Sequence, residues 1–203
     1  MQALGREEEA AQVTGQIAAM IPENDREAMI TAIASFKAGG YDTAAAVFQV
    51  LYDKGTLEAA EAAEAGYYLG QISFIQKDYK TAYDYLSKWE GFLLQTADSN
   101  SFNLVGWADQ AGNFAELYYQ IAFCAMESEQ LESAEEYYQK LEGLQEVSCQ
   151  KKQEKLYIVL LERQGKWQEA LKQMEHYMEN YVNKENASEY EQAKKEYDFL
   201  KSR

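Results

Sequence analysis

The stretch Tyr68-Leu69-Gly70-Gln71-Ile72-Ser73-Phe74-Ile75-Gln76-Lys77-Asp78-Tyr79-Lys80-Thr81-Ala82-Tyr83-Asp84-Tyr85-Leu86 decides the fold. It reads as the end of one helix, a turn at Gln76-Lys77-Asp78, and the start of a second helix. After the turn come one large residue (Tyr79), two polar residues, an alanine (Ala82) and a large residue four positions on (Leu86), with Trp89 three beyond that. The same order recurs three times. It appears in Gly40-Tyr41-Asp42-Thr43-Ala44 with Phe48 and Leu51, in Gln130-Leu131-Glu132-Ser133-Ala134 with Tyr138 and Leu141, and in Lys166-Trp167-Gln168-Glu169-Ala170 with Met174 and Tyr177. The leading residues Tyr41, Tyr79, Leu131 and Trp167 are 38, 52 and 36 positions apart.

Positions i, i+4 and i+7 share one face of a helix with 3.6 residues per turn. An alanine heading that face lets two antiparallel helices approach to about 8–10 Å between axes. Upstream of each stretch lies a partner helix with its own small residue. Ala32, Gly70 and Ala122 each stand 12 positions before the downstream alanine, and Ile158 is the departure in the fourth case. The turns between partners are Ala38-Gly39-Gly40, Gln76-Lys77-Asp78, Ser128-Glu129-Gln130 and Gln164-Gly165-Lys166. Gly39 and Gly165 suit the left-handed conformation just past a helix end. Thr56, with Glu58 in the first turn, reads as the N-cap of the helix that leads to Gly70.

This order resembles the tetratricopeptide repeat, a helix-turn-helix unit of about 34 residues, best matched at Tyr68, Leu69, Gly70, Tyr79, Ala82 and Leu86. The resemblance covers about residues 24–182. It implies an all-α, right-handed α-solenoid of four repeats at about 24–56, 57–95, 100–146 and 148–182. Capping helices are expected at 1–23 and 186–203. No proline closes any repeat, and the spacing of 52 is too long by about half a unit.

That excess is an insertion at residues 90–113. Thr96-Ala97-Asp98-Ser99-Asn100 reads as a loop. The stripe Trp107, Ala111, Phe114, Tyr118, Ile121 and Ala125 gives the next helix a start near Ser101. Phe102, Leu104, Val105 and Trp107 are apolar residues surplus to the repeat: either they cover the joint between units two and three, or they form an exposed binding patch. At the N-terminus Ala10, Val13, Ile17 and Met20 form a helical stripe that stops at Ile21-Pro22. At the C-terminus Ser188-Glu189-Tyr190-Glu191 has capping-box spacing, followed by the stripe Tyr190, Ala193, Tyr197 and Leu200. Covering the open ends of the array is the role expected of both, the alternative for the N-terminal segment being to occupy the array's own groove.

Composition narrows the function classes. The 203 residues carry 19 Lys plus Arg against 34 Asp plus Glu, a net charge of -15. That balance disfavours nucleic acid, whose phosphates need a basic footprint, and anionic lipid surfaces. A single proline among 203 residues fits an all-helical chain. No apolar run reaches the roughly 18 residues of a membrane span, so direct membrane insertion is not expected. Met1 to Ala10 lacks the order of a signal peptide. As written, the sequence reads as cytoplasmic. Trp167 to Arg203 is also similar to the C-terminal end of tetratricopeptide lipoproteins of Gram-positive bacteria, through Glu169-Ala170-Leu171 and Glu196-Tyr197-Asp198-Phe199-Leu200-Lys201. That weaker likeness implies the alternative, an extracytoplasmic protein anchored by a lipidated leader ahead of Met1.

Catalytic constellations are missing. There is no phosphate-binding or dinucleotide-binding glycine loop and no zinc-protease pair, and no serine-hydrolase elbow. His176 stands beside Glu175 without an activated nucleophile. Cys124 and Cys149 read as small buried apolar residues, and no His and Cys set has metal-ligand spacing. Glu61, Glu64, Glu135 and Glu136 read as solvated helix faces. No enzyme activity and no cofactor are expected.

The resemblance implies a concave groove lined by the first helix of each repeat. Carried onto this chain, its positions are Met29, Ile33 and Phe36; Tyr67, Gln71 and Phe74; Glu116, Tyr119, Phe123 and Met126; and Lys152, Lys155, Val159 and Arg163. Three repeats then offer aromatic and apolar contact, and the fourth offers cations for an acidic residue or carboxylate. Family members that hold chaperone C-termini use a Lys and Asn clamp. Met29, Ile33, Tyr68, Glu116 and Gln120 stand at those places here, so a chaperone-tail adaptor is not expected. The expected function is a non-catalytic protein-interaction scaffold binding an apolar helix or peptide segment. The alternative is a structural or self-associating (homo-oligomeric) domain of a cell-envelope lipoprotein.

Overall fold

The computed structural model describes residues 25–54, 57, 59–96 and 111–203. The expected N-terminal cap, Thr56 with Glu58, the start near Ser101, and Phe102, Leu104, Val105 and Trp107 lie outside the described residues. The chain divides into two compact units, Met1–Ala108 and Asp109–Arg203. The described residues of the first hold α1 (Asp25–Lys37), α2 (Tyr41–Lys54), α3 (Ala59–Ile75) and α4 (Tyr79–Thr96). Those of the second hold α5 (Ala111–Glu127), α6 (Leu131–Gly143), a 3-10 turn (Val147–Cys149), α7 (Gln150–Arg163), α8 (Trp167–Asn180) and α9 (Ala187–Lys201). No strand occurs among the described residues. The fold class is all-α, built from helical repeats.

Each pair closes through the same turn, and its hydrogen bonds repeat atom for atom. The first amide bond spans five residues: Gly40 to Ser35 (2.9 Å), Asp78 to Ser73 (2.9 Å), Gln130 to Ala125 (2.8 Å) and Lys166 to Leu161 (2.9 Å). The second spans three, from Gly39 to Phe36 (2.9 Å), Lys77 to Phe74 (3.1 Å), Glu129 to Met126 (3.1 Å) and Gly165 to Glu162 (3.0 Å). These bonds satisfy carbonyls that the helix leaves open at its C-terminal end. They require a left-handed residue, and φ is +83° at Gly39, +64° at Lys77, +62° at Glu129 and +73° at Gly165. Lys77 and Glu129 adopt that conformation against the steric cost of a Cβ. Glu129→Gly is therefore expected to stabilise the second unit by about 0.5–1 kcal/mol, read as a higher denaturation midpoint at an unchanged slope.

One residue after each turn the next helix begins, and the recurring alanine donates its first bond: Ala44 to Gly40, Ala82 to Asp78, Ala134 to Gln130, Ala170 to Lys166. All four alanines are buried. The partner positions Ala32, Gly70, Ala122 and Ile158 are buried as well. In the first unit α2 packs on both α1 and α3, and α3 packs on α4. Met29, Ile33, Phe48, Leu51, Tyr68, Leu69 and Ile72 interlock there. Lys54 reaches back to Asp25 at 2.7 Å, tying the end of α2 to the start of α1.

In the second unit α5 packs on α6 and α7, α7 on α8, and α9 on α8. Ile158, Leu161, Met174, Tyr177, Val182, Ala193 and Leu200 form a core there. The side chain of Asn186, not Ser188, caps α9, accepting from the Glu189 amide at 3.3 Å. The chain leaves its extended backbone at Asn186, two residues before the capping-box spacing suggested. Cys124 and Cys149 are free thiols, both buried, and burial pushes the Cys124 thiol up to about 12. Glu64 corrects the reading of a solvated face: it is buried, because α3 is enclosed by helices on both sides. No described helix is long and apolar enough to cross a membrane.

Candidate functional site

The groove positions separate into three groups. Met29, Ile33 and Met126 are buried core residues. One residue of helix rotates a side chain by about 100°, and that suffices to turn these three inward. On the leading helices of the repeats, the large apolar side chains that are exposed are Ile30, 49% exposed on α1, and Ile75, 42% exposed on α3. Neither was singled out by the repeat pattern, which records packing positions only.

A second group is half-buried and held by aromatic neighbours in its own unit. Phe36 meets Tyr41 edge-on at 5.6 Å between centroids and Tyr68 at 5.2 Å. Phe74 meets Tyr79 edge-on at 6.0 Å. Phe36 and Phe74 are 38 residues apart, as are Tyr41 and Tyr79, so both pairs brace the same turn. Tyr67 lies 5.4 Å from the Trp89 ring and 5.3 Å from Tyr68. Gln71 is half-buried on the same side of α3.

The third group assembles a face across α5 and α7. Tyr119 and Phe123 are half-buried and stacked, with centroids 6.2 Å apart. Val159, 36 residues after Phe123, is half-buried on α7. An ion pair stands at each end of this strip. Glu116 Oε2 lies 3.0 Å from Lys152 Nζ, and Glu127 Oε1 lies 3.0 Å from Arg163 Nη2. Both pairs span 36 residues, one repeat. Lys152 also stands 5.5 Å from the centre of the Tyr119 ring. The hydrogen bond to Glu116 pushes the Lys152 ammonium up. Burial pushes the Tyr119 hydroxyl up, with Lys152 opposing.

The fourth repeat is therefore not an open basic site. Lys151 pairs with Glu189 at 2.5 Å, and Lys155 pairs with Glu196. All four cations of α7 face carboxylates, from α5 on one side and α9 on the other. Because these groups are about a quarter to a half exposed, each pair contributes at most about 1 kcal/mol. Their larger effect is on charge, since an incoming carboxylate meets cations already neutralised. Local sequence hides this, because each partner sits a repeat away. His176 is exposed, with its ring 6.2 Å from Tyr181. No group of three or more His, Cys, Asp or Glu among the described residues could hold a metal ion.

Four turns with identical hydrogen bonds, paired antiparallel helices and a small residue at three of the four crossings define the architecture. A crystal structure of YrrB, a TPR protein with an unusual peptide-binding site, matches it with a TM-score of 0.56. The fold is that of the tetratricopeptide repeat. The YrrB match has 18% sequence identity and covers 94% of this chain and 84% of that one. A putative kinesin light chain from Podosopora anserina, with nearly identical TPR-like repeats, matches this tetratricopeptide fold at a TM-score of 0.55 and 14% identity, covering 89% of this chain and 93% of that one. A singly substituted form of that kinesin light chain also gives a TM-score of 0.55 at 14% identity, covering 87% of this chain and 89% of that one. No protein-family model matches the chain, and no curated protein matches its sequence.

Proposed function

We propose that this chain is a non-catalytic interaction scaffold that holds an apolar peptide or helix segment of another protein on the face of α5 and α7. The observation that carries this reading is the Tyr119–Phe123 stack, partly exposed between two cross-helix ion pairs. Rigid aromatic rings give large contact area at low entropic cost, and they dominate the energetics of protein interfaces. The neutralised cations of α7 favour an uncharged anchor over an acidic one, which replaces the expectation of a carboxylate at this end. The likeness to YrrB supports a peptide as the partner class, since that protein has a peptide-binding site.

Selection of a displayed random peptide library on the full chain tests the reading. Enriched peptides should share an apolar or aromatic anchor. Phe123→Ser should weaken them by about 30-fold, equivalent to the ~2 kcal/mol of an interface hot spot, at an unchanged melting temperature. Enrichment of acidic peptides, or peptides indifferent to Phe123→Ser, would count against it.

A further inference from the structure

The first unit contains a cavity that the repeat pattern itself explains. It has a volume of about 190 Å³ and opens between α2 and α4 over α3. Tyr52, Tyr85 and Trp89 wall it, Ala62, Ala63 and Gly66 form its floor, and Lys88 stands at its rim. Tyr52 and Tyr85 meet edge-on, with centroids 5.6 Å apart. The Lys88 ammonium lies 5.9 Å from the centre of the Tyr85 ring. A Cβ placed on Gly66 would sit 3.3 Å from Tyr52 Cε2 and 3.7 Å from Tyr85 Cδ1.

The second unit repeats this arrangement 52 residues later. Gly70 and Ala82 correspond to Ala122 and Ala134, and at the same offset Tyr85 corresponds to Tyr137 and Lys88 to Lys140. Gly66 corresponds to Tyr118. There the tyrosine is present: the Tyr118 ring is buried, 6.1 Å from Tyr137. Lys140 lies 4.2 Å from the centre of the Tyr137 ring and 6.0 Å from that of Tyr118. The first unit keeps the neighbouring ring and the lysine but has glycine where the second unit supplies an aromatic side chain, and the Tyr52 ring of α2 packs over that glycine beside the cavity.

We propose that this cavity is a socket for one aromatic side chain of a partner polypeptide, seated against Tyr85 with Lys88 over its face. A cavity of about 150 Å³ accommodates benzene, so 190 Å³ takes a phenyl or phenol ring. Ring edges from Tyr52 and Tyr85 and an ammonium at the mouth suit an aromatic occupant over an aliphatic one. The socket lies in the first unit and is independent of the α5–α7 face, so either proposal can fail without the other.

The experiment titrates N-acetyl-tyrosine amide, N-acetyl-leucine amide and p-cresol into the full chain and follows the indole N–H resonance of Trp89. The tyrosine amide should bind saturably and about tenfold tighter than the leucine amide. Ala63→Phe, which fills the socket from its floor, should abolish that binding; Ala62→Leu serves if the first variant is misfolded by circular dichroism. Lys88→Met should weaken binding about threefold.

No response of Trp89, or a response that persists in a folded filled variant, overturns the socket. Binding of p-cresol without the tyrosine amide overturns the polypeptide partner in favour of a small aromatic molecule. Binding seen only after Phe102→Ala or Trp107→Ala assigns the socket to the chain's own segment and overturns an external partner.

Discussion

Gly70→Val is expected to destabilise the first unit by about 3 kcal/mol, measured by urea denaturation. Gly70 sits where α3 crosses α4. A Cβ there would lie 2.9 Å from both Leu86 Cδ2 and Leu86 Cγ and 3.1 Å from Tyr85 Cβ. Leu86 is fully buried, so it cannot swing aside, and the helices must separate. Gly91→Ala is the control. Gly91 also lies within a helix, but nothing stands within 4 Å of a Cβ built on it. Relief of glycine's helix penalty should then stabilise by about 0.5–1 kcal/mol. Opposite signs at two helical glycines would show that crossing distance, not helix propensity, governs Gly70; destabilisation at both would remove the argument.

Phe48→Ala is expected to cost about 4 kcal/mol, in the range for deleting a buried aromatic. The ring is fully buried and stacked on Tyr68, with centroids 5.0 Å apart and planes within 3°. Burial, with Glu64 adding to it, pushes the Tyr68 hydroxyl up from 10.0 to about 12. In the unfolded chain that hydroxyl ionises near ~10. The folded state therefore keeps a proton that the unfolded state gives up, and stability falls as pH rises from about 10 to about 12. In Phe48→Ala the cavity admits solvent beside Tyr68, so its titration should move back toward about 10. Ultraviolet titration of tyrosinate in the wild type and the variant measures this. Titration near ~10 in both proteins would contradict the burial argument.

Packing positions were legible in the sequence because they are local. The alanine, the large residue four on and the small residue 12 before it lie on two adjacent helices, and their spacing is set by helix geometry alone. The turns were half legible. Glycine announced Gly39 and Gly165, whereas Lys77 and Glu129 adopt the same backbone without any compositional signal. Surface positions were less legible. Met29 and Ile33 look like groove residues until their rotation is known, and Ile30 beside them carries the exposure. Lys152, Lys155 and Arg163 look like an open cation site because Glu116, Glu196 and Glu127 are 36 to 41 residues away. Gly66 conveys nothing alone; its meaning comes from Tyr118, 52 residues on.

The sign of charge along the second unit runs negative on α5, positive on α7 and negative on α9. Such an alternation has parity. Duplicating α7 and α8 in place would set lysines against lysines at the new seam, while duplicating two successive pairs would preserve the match. Lengthening by gene duplication, or by deliberate engineering, should thus be tolerated in even steps and resisted in odd ones.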